Sequence, residues 1–582
     1  MKKLKTRWSD QVPQNPDQVL CEYPRPSMRR ESYVNLNGYW DYEITGRGKR
    51  PQSFAGQILV PFSPEAPLSG VERHLHPRQV LWYRRDLPEE VKRKSGMRWL
   101  LHFGAVDQFA AVYVNRRLAA KHLGGYLPFS ADVTEFLKEG GNELVVGVCD
   151  FTDRSYYSRG KQKLARSGMF YTAQSGIWQT VWMEEVPDAH VEELRITPVF
   201  DEEEVEITVC SGAAQKAAVT VWSGEMQPRT VEVQTNEPFR IPVCRMHAWT
   251  PEDPFLYSLR VTLDRDCVES YFAMRKISAG ADQDGVPRPF LNNKPYFQKG
   301  VLDQGYWPDG LYTAPCDEAL LFDIREMKRL GFNMIRKHIK IEPERWYYHC
   351  DRLGMLVWQD MVCGGRPYKR WYVTYLATAL EKLNIRMTDR TYGLLGRKDK
   401  KGREQFAAEM LETIRRLGNH PSIVTWVLFN EGWGQFDAKE LTAAAREEDP
   451  YRLVDQASGW FDQGGGDFRS IHNYFFKFRF WQEKRIQALT EFGGYCWHCR
   501  EHSMYAKVYG YRLYRNREEL SRGYDGLLEE VASHIPEGLS VTVYTQLSDV
   551  EEEVNGLYTY DREILKIEED IVKKWNEVCR IG

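Results

Sequence analysis

The sequence predicts a multidomain chain: an N-terminal jelly-roll β-sandwich over residues 1–187, an immunoglobulin-like β-sandwich over 188–281, and a C-terminal (β/α)8 TIM barrel over 282–582. Three observations predict it. The 582 residues exceed what a single core organises and suggest about three or four units of roughly 150 residues. The first half carries short segments of period 2 between turn residues, which is the pattern of antiparallel strands. From about residue 282, apolar runs alternate with segments of helical periodicity, which is the pattern of a parallel sheet with helical crossovers.

In the first unit the period-2 segments lie at 79–85, 97–103, 110–115 and 142–148, with a Gly124-Gly125 turn among them. The second unit has strands at 205–209, 218–222, 230–233 and 256–261, the last preceded by the turn Trp249-Thr250-Pro251-Glu252-Asp253-Pro254. It contains no catalytic constellation and reads as a spacer. In the third unit, strands are expected at 297–302, 333–336, 355–360, 423–429, 452–455, 470–474, 486–491 and 541–546. Asp317 is expected to cap a helix whose apolar stripe is Leu320, Leu321, Ile324, Met327 and Leu330, ended by Gly331. Pro343 opens a second helix, and 403–417 forms a third. Eight β/α units in about 300 residues make a TIM barrel. The stretch 366–402 is too long for an ordinary loop; it contains an expected helix at 371–387 and reads as a rim or lid. The run 475–481, Phe-Phe-Lys-Phe-Arg-Phe-Trp, comes after strand six and is a candidate for the same rim or for an oligomer contact.

The barrel is organised around Ile423-Val424-Thr425-Trp426-Val427-Leu428-Phe429-Asn430-Glu431-Gly432, an apolar run that ends abruptly in Asn-Glu-Gly. It reads as a strand buried on both faces, with Glu431 at its C-terminal tip, the functional end of a parallel barrel. A second run, Ile486-Gln487-Ala488-Leu489-Thr490-Glu491-Phe492-Gly493-Gly494, delivers Glu491 in the same way. Two carboxylates at two strand tips are what glycosidic bond cleavage needs: one protonated to release the leaving oxygen, one ionised to attack the anomeric carbon. Either glutamate alone would read as a salt-bridged strand end.

Composition narrows the alternatives. A formal charge of −3 gives no basic surface for nucleic acid. The charged start, Met1-Lys2-Lys3-Leu4-Lys5, is not followed by an apolar run, and no segment is long enough to span a bilayer. Eleven cysteines in irregular spacing predict reduced thiols and a cytoplasmic protein. Cys496-Trp497-His498-Cys499 has no second ligand pair, so no metal and no cofactor are expected. Eighteen Trp and 32 Tyr suit stacking against sugar rings as well as core packing. The expected partner is an oligosaccharide or glycoside; a homo-oligomer is left open.

Assembled, these motifs resemble glycoside hydrolase family 2, the family of β-galactosidases, β-glucuronidases and β-mannosidases, over nearly the whole chain. The resemblance rests on Leu81-Trp82-Tyr83-Arg84-Arg85, Gly104-Ala105-Val106-Asp107, Tyr113-Val114-Asn115 and Ser175-Gly176-Ile177-Trp178 in the first unit. It continues through Trp249-Thr250-Pro251 and Pro254-Phe255-Leu256-Tyr257 to Asn430-Glu431-Gly432 and Thr490-Glu491-Phe492-Gly493. It implies a retaining, exo-acting glycosidase with Glu431 as general acid/base and Glu491 as nucleophile. By the same resemblance Asn430 meets the sugar 2-hydroxyl, Arg336 lies near the nucleophile, and Tyr474 holds Glu491. Asp303, Trp307, His338, Asp360, Trp433 and His472 are further substrate-binding candidates; His338 sits one position closer to the arginine than the family histidine.

The sugar is expected to be a neutral β-glycoside, with galactoside first; α-L-arabinopyranoside, which shares that ring geometry, stays among the alternatives. The family's glucuronidases carry an Asn-x-Lys signature where this chain reads Glu553-Val554-Asn555. Lys337, or the cations after strand six, could supply another clamp for an acidic sugar, which keeps glucuronide and galacturonide among the alternatives. The rival of another class is a carbohydrate-binding protein without catalysis.

Overall fold

The computed structural model describes residues 2–224, 227–481 and 483–581. Two antiparallel β-sandwiches precede a parallel barrel. In the first, a four-stranded sheet containing Met97–Phe103 and Val181–Pro187 faces a six-stranded sheet centred on Gln79–Asp86 and Glu143–Cys149. Between them lies a core of Trp40, Ile58, Leu81, Tyr83, Leu101, Phe103, Val112 and Val146. The second sandwich packs a three-stranded sheet on a four-stranded one, and the inward residues Val205, Ile207, Val209, Val219, Val221, Leu259 and Val261 supply the alternate positions of its strands.

The barrel strands are β1 (Gln298–Asp303), β2 (Met334–Lys337), β3 (Leu356–Asp360), β4 (Ile423–Val427), β5 (Leu453–Asp455), β6 (Phe468–Asn473), β7 (Ile486–Gly493) and β8 (Leu539–Thr545). They pair in parallel in the order β5-β4-β3-β2-β1-β8-β7-β6. The ladder stays open between β5 and β6, where the Ser470 hydroxyl donates to Asp455 at 2.6 Å. Side-chain alternation divides each strand. Leu302, Met334, Leu356, Trp358, Val424, Phe468, Ile486, Val541 and Val543 fill the inside, where Trp249 and Ile277 join them from the preceding segments. Val301, Ile335, Val357, Ile423, Trp426 and Leu489 face the helices.

Those helices are α1 (Asp317–Arg329), α2 (Glu344–Leu353), α3 (Lys400–Leu417), α4 (Ala438–Glu448), α5 (Arg517–Ser533) and α6 (Glu569–Val578). The expectation of eight β/α units needs correcting: among the described residues, the connections after β5 and β6 carry no helix. Their extended loops leave that side of the mouth open. Asp317 is not a cap. Cys316 takes the cap position, and the Asp317 carboxylate is held by Arg345 at 2.7 Å and His349 at 2.9 Å. The helix expected over 371–387 is shorter: a π-helical turn, Trp371–Leu376, runs into a single helical stretch, Ala377–Lys382. No helix among the described residues is long and apolar enough to cross a membrane.

The first sandwich is docked on the barrel through several segments, and one of them, 153–172, runs along the mouth. The Arg159 and Gly160 amides both donate to Cys363 O at 3.0 Å, and the Thr172 amide donates to Glu551 at 3.0 Å. Where the two sandwiches meet, Arg30 makes a bidentate pair with Asp266 at 2.8 and 2.9 Å and reaches Glu184 at 3.1 Å, all three side chains nearly fully buried. Removing one partner of such a cluster strands buried charge, so Arg30→Ala is expected to cost about 3–5 kcal/mol. Chemical denaturation checks it; a loss under about 1 kcal/mol would show the cluster to be energetically idle.

Candidate active site

β2, β3, β4 and β7 end at one place, and Arg336 at the tip of β2 ties them together. Its guanidinium is fully buried and all five of its N–H groups are used. Nε and Nη2 grip Asp360 at 2.9 and 3.0 Å. Nη2 also donates to Asn430 Oδ1 at 2.8 Å, and Nη1 donates to Thr490 O at 3.1 Å and Glu491 Oε1 at 3.2 Å. With its Oδ1 turned to Arg336, the Asn430 amide leaves Nδ2 buried and without a protein partner. Asp360 also holds His338 Nδ1 at 2.8 Å, and His338 Nε2 is likewise unpartnered.

Glu431 comes after β4 on a backbone bent into the left-handed region, with φ of 50° and its amide on Ser458 O at 2.9 Å. The glycine after it, at φ 68°, has no room for a side chain: a Cβ there would stand 2.5 Å from the Phe461 ring. Gly493 is required in the same way, since a Cβ there would lie 2.4 Å from Tyr544. The Glu-Gly and Glu-Phe-Gly spacings therefore express close packing behind the two carboxylates.

Oxygen atoms of Glu431 and Glu491 lie within 4.8 Å of one another, and His472 stands between them. His472 Nδ1 is 3.0 Å from Glu431 Oε1, while Nε2 is 2.9 Å from Ser458 Oγ and 3.7 Å from Glu491 Oε1. Tyr474 donates its hydroxyl to Glu491 Oε2 and stacks on Tyr511 at 4.0 Å. The electrostatics separate the carboxyls. Burial raises the Glu431 pKa, and the negative Glu491 adds to the rise against the opposing bond from His472. Burial alone would also raise Glu491, but His472 and Arg336 outweigh it and bring that group down to about 2. His472 is raised despite its burial because it faces both carboxylates. The three side chains are close enough to surround a cation, yet both imidazole nitrogens are engaged and the ring is held toward its protonated form, which suits a hydrogen-bonding role.

Trp433 forms a wall of the cavity and packs on Phe170 of the first sandwich at 5.5 Å. Two candidates fall elsewhere. Asp303 is buried in an ion cluster with Lys337, which is also 2.8 Å from Glu342. Trp307 lies under the Arg562 guanidinium at 4.1 Å and edge-on to Trp8 at 6.0 Å, because the loop after β1 closes on itself between Trp307 and Leu311. The same cluster removes Lys337 as a clamp for an acidic sugar. Glu553 is engaged by the Tyr171 hydroxyl and by Asn555 Nδ2 at 3.0 Å.

Three site residues escaped the sequence reading. Trp460, past β5, lines the cavity with its indole N–H unpartnered; a tryptophan beyond a strand tip was the available signal. Glu381, from the 366–402 insertion, lines the same cavity and is pushed up to about 7 by burial. Lys161, from the first sandwich, is 6% exposed. Its Nζ lies 5.6 Å from the ring centroids of both Tyr171 and Trp433, with no carboxylate or hydrogen-bond partner among the described residues. Nothing local in the sequence marked it.

Comparison with known proteins agrees with this architecture. Family models for glycosyl hydrolase family 2 match residues 73–187 (sugar binding domain), 189–275 and 290–478 (TIM barrel domain). The chain belongs to glycosyl hydrolase family 2. A putative β-glucuronidase of Formosa agariphila is 27% identical over 61% of this chain and 40% of its own length. The β-glucuronidase of Canis lupus familiaris is 24% identical over 74% and 69%. A β-galactosidase of Thermoanaerobacter pseudethanolicus is 24% identical over 49% and 39%. Two of these three family 2 relatives are thus matched over only about two fifths of their length. Among solved structures, a family 2 β-galacturonidase from Eisenbergiella tayi bound to galacturonate superposes with a TM-score of 0.70 at 18% identity, covering 96% of this chain and 100% of that one. The β-D-glucuronidase of Dictyoglomus thermophilum gives 0.72 at 16%, covering 95% and 98%. At these identities the superpositions speak to the fold.

Because Arg336 uses a planar fork that no ammonium reproduces, Arg336→Lys is expected to lower kcat/KM on an aryl glycoside at least about 100-fold while the protein stays folded. Steady-state kinetics with a thermal melt as control would test this; a loss under five-fold would mean the fork is not needed.

Proposed function

We propose that the chain is a retaining, exo-acting β-glycosidase that removes terminal non-reducing sugars by double displacement. The observation that carries this reading is the pair Glu431 and Glu491, oxygens within 4.8 Å, with pKa values driven apart. Retaining glycosidases hold their carboxyl groups about 5–5.5 Å apart, and inverting ones about 6.5–9.5 Å to admit a water. In the first step the Glu431 carboxyl gives its proton to the glycosidic oxygen while Glu491 attacks C1. The C1–O bond breaks and a glycosyl ester forms. Glu491 has then lost its charge, and the Glu431 pKa falls. In the second step Glu431 takes a proton from water, the water oxygen bonds to C1, and the ester C–O bond breaks. The unpartnered Asn430 Nδ2 and Trp460 Nε1 are donors, and His338 Nε2, whose ring gives its Nδ1–H to Asp360, is an acceptor; sugar hydroxyls would satisfy all three.

We place a hexuronide, glucuronide or galacturonide, ahead of the neutral galactoside. Lys161 supports this, as a buried ammonium beside Trp433 whose charge acts on both glutamates and which has no ion-pair partner among the described residues. The family 2 relatives and neighbours that act on uronides point the same way. Engagement of Glu553 and the galactosidase relative favour the galactoside as the second reading. A panel of nitrophenyl glycosides decides: uronide turnover is expected to exceed galactoside turnover, and Lys161→Met to lower uronide kcat/KM at least ten-fold. Faster galactoside hydrolysis would reverse the order, and binding of every sugar without turnover would leave a carbohydrate-binding protein.

Glu491→Ala should abolish hydrolysis, with azide restoring a glycosyl azide of inverted configuration; near-normal rates would sink the nucleophile assignment. The pH profile derives from the two shifts. Glu491, lowered to about 2, is ionised throughout the working range. Glu431, raised, must be protonated, so kcat/KM is expected to fall as pH rises through its elevated value. With a dinitrophenyl leaving group, which needs no proton, that alkaline limb should shrink or vanish. An unchanged limb would assign it to another group.

A further inference from the structure

The cavity above the two glutamates is much larger than one sugar needs. It measures about 990 Å³, at the top of the roughly 300–1,000 Å³ range of small-molecule sites. Glu431, His472, Tyr474 and Trp460 line it, and its outer walls come from three remote segments: 153–170 of the first sandwich, 367–381 of the insertion, and 473–481 after β6.

Those walls are basic. Arg159, Lys163, Arg370, Arg469, Lys477 and Arg479 line the cavity against the carboxyls of Asp153, Glu381 and Glu431. Of these, Arg469 is paired, with Asp462 at 2.6 Å. The other five make no ion pair with a carboxylate among the described residues, although the chain as a whole is acidic at −3. The Lys163 ammonium is pushed down first by burial and then, against the opposing Asp153 carboxylate, by the like charges of Arg159 and Arg370. Holding unpaired cations together costs energy in the empty protein and is recovered when an anion enters. Aromatic surface is interleaved with them. Phe475, Phe476 and Trp481 are 66%, 57% and 43% exposed on the same wall.

We propose that this vestibule binds the leaving-group side of the substrate and that the group it takes is an anionic oligosaccharide, bearing sulfate or carboxylate groups that pair with Arg159, Lys163, Arg370, Lys477 and Arg479 while sugar faces stack on Phe475 and Trp481. The vestibule is continuous with Glu431, so its occupant is joined to the scissile oxygen. This rests on Glu431 as the proton donor to that oxygen. An interleaved cation–aromatic wall suits a glycan because each ring offers an apolar C–H face between its charged substituents.

The test uses the full chain and titration calorimetry with three probes: a sulfated tetrasaccharide, its unsulfated parent, and a tetragalacturonate. At low salt both anionic probes are expected to bind at least ten-fold tighter than the neutral parent, and their ratio tells sulfate from carboxylate preference. The variant Arg370→Ala/Lys477→Ala/Arg479→Ala removes three exposed side chains and should lose at least ten-fold on the anionic probes alone. A control of equal charge change elsewhere on the surface, Arg116→Ala/Lys121→Ala/Lys294→Ala, should lose less than two-fold. Charge-blind binding, or equal losses in the two variants, overturns the proposal. The hydrolase reading fails separately: it falls if the wild type cleaves no aryl glycoside, whatever the calorimetry finds.

Discussion

The site depends on one buried guanidinium. Arg336 carries a permanent charge into a place with no solvent, which is tolerable because Asp360 and Glu491 face it and every N–H finds an acceptor. Satisfying that charge fixes β2, β3, β4 and β7 at their tips. It orients the Asn430 amide with its donors outward, keeps Glu491 ionised, and through Asp360 sets the ring of His338. His472 completes the field from the other side and couples the two glutamates through a single imidazole. Two identical carboxyls are thus driven apart in pKa, one up and one down, by their surroundings alone.

The first sandwich is part of the site and not an appendage. Its segment 153–172 brings Lys161, Phe170 and Tyr171 to the barrel mouth, where Phe170 backs Trp433 and Tyr171 takes up Glu553. Among the described residues the second sandwich contributes none to the cavity lining; Trp249, in the loop between its strands Pro238–Pro242 and Tyr257–Leu263, reaches the barrel interior and donates to Asp351 O at 2.7 Å. The insertion 366–402 and the segment after β6 build the vestibule on the side where β5 and β6 have no flanking helices. That those two connections carry no helix among the described residues and that the mouth is wide are one architectural fact.

Much of this was legible beforehand. All eight barrel strands were readable because buried parallel strands are short unbroken apolar runs, and Glu431 and Glu491 were readable because each ends such a run beside glycine. The expectation of eight β/α units missed that, among the described residues, the connections after β5 and β6 are loops without a helix, because the residues of a strand do not encode the connection that leaves it. Asp303 and Trp307 looked like site residues because they lie at a strand tip, but a loop's course depends on what it packs against, here Arg562 and Trp8.

By itself the sequence determined what depends on neighbours along the chain: periodicity, strand ends, and the presence of a carboxylate at two of them. Only the tertiary structure decided what depends on distance through space. It set the separation of Glu431 and Glu491, the splitting of their pKa values, the exhaustion of Lys337 by Asp303, and the arrival of Lys161 from nearly 300 residues away. The reason is physical. Coulomb energy and desolvation are fixed by the packed surroundings of a group, and those surroundings come from segments with no sequence relation to one another.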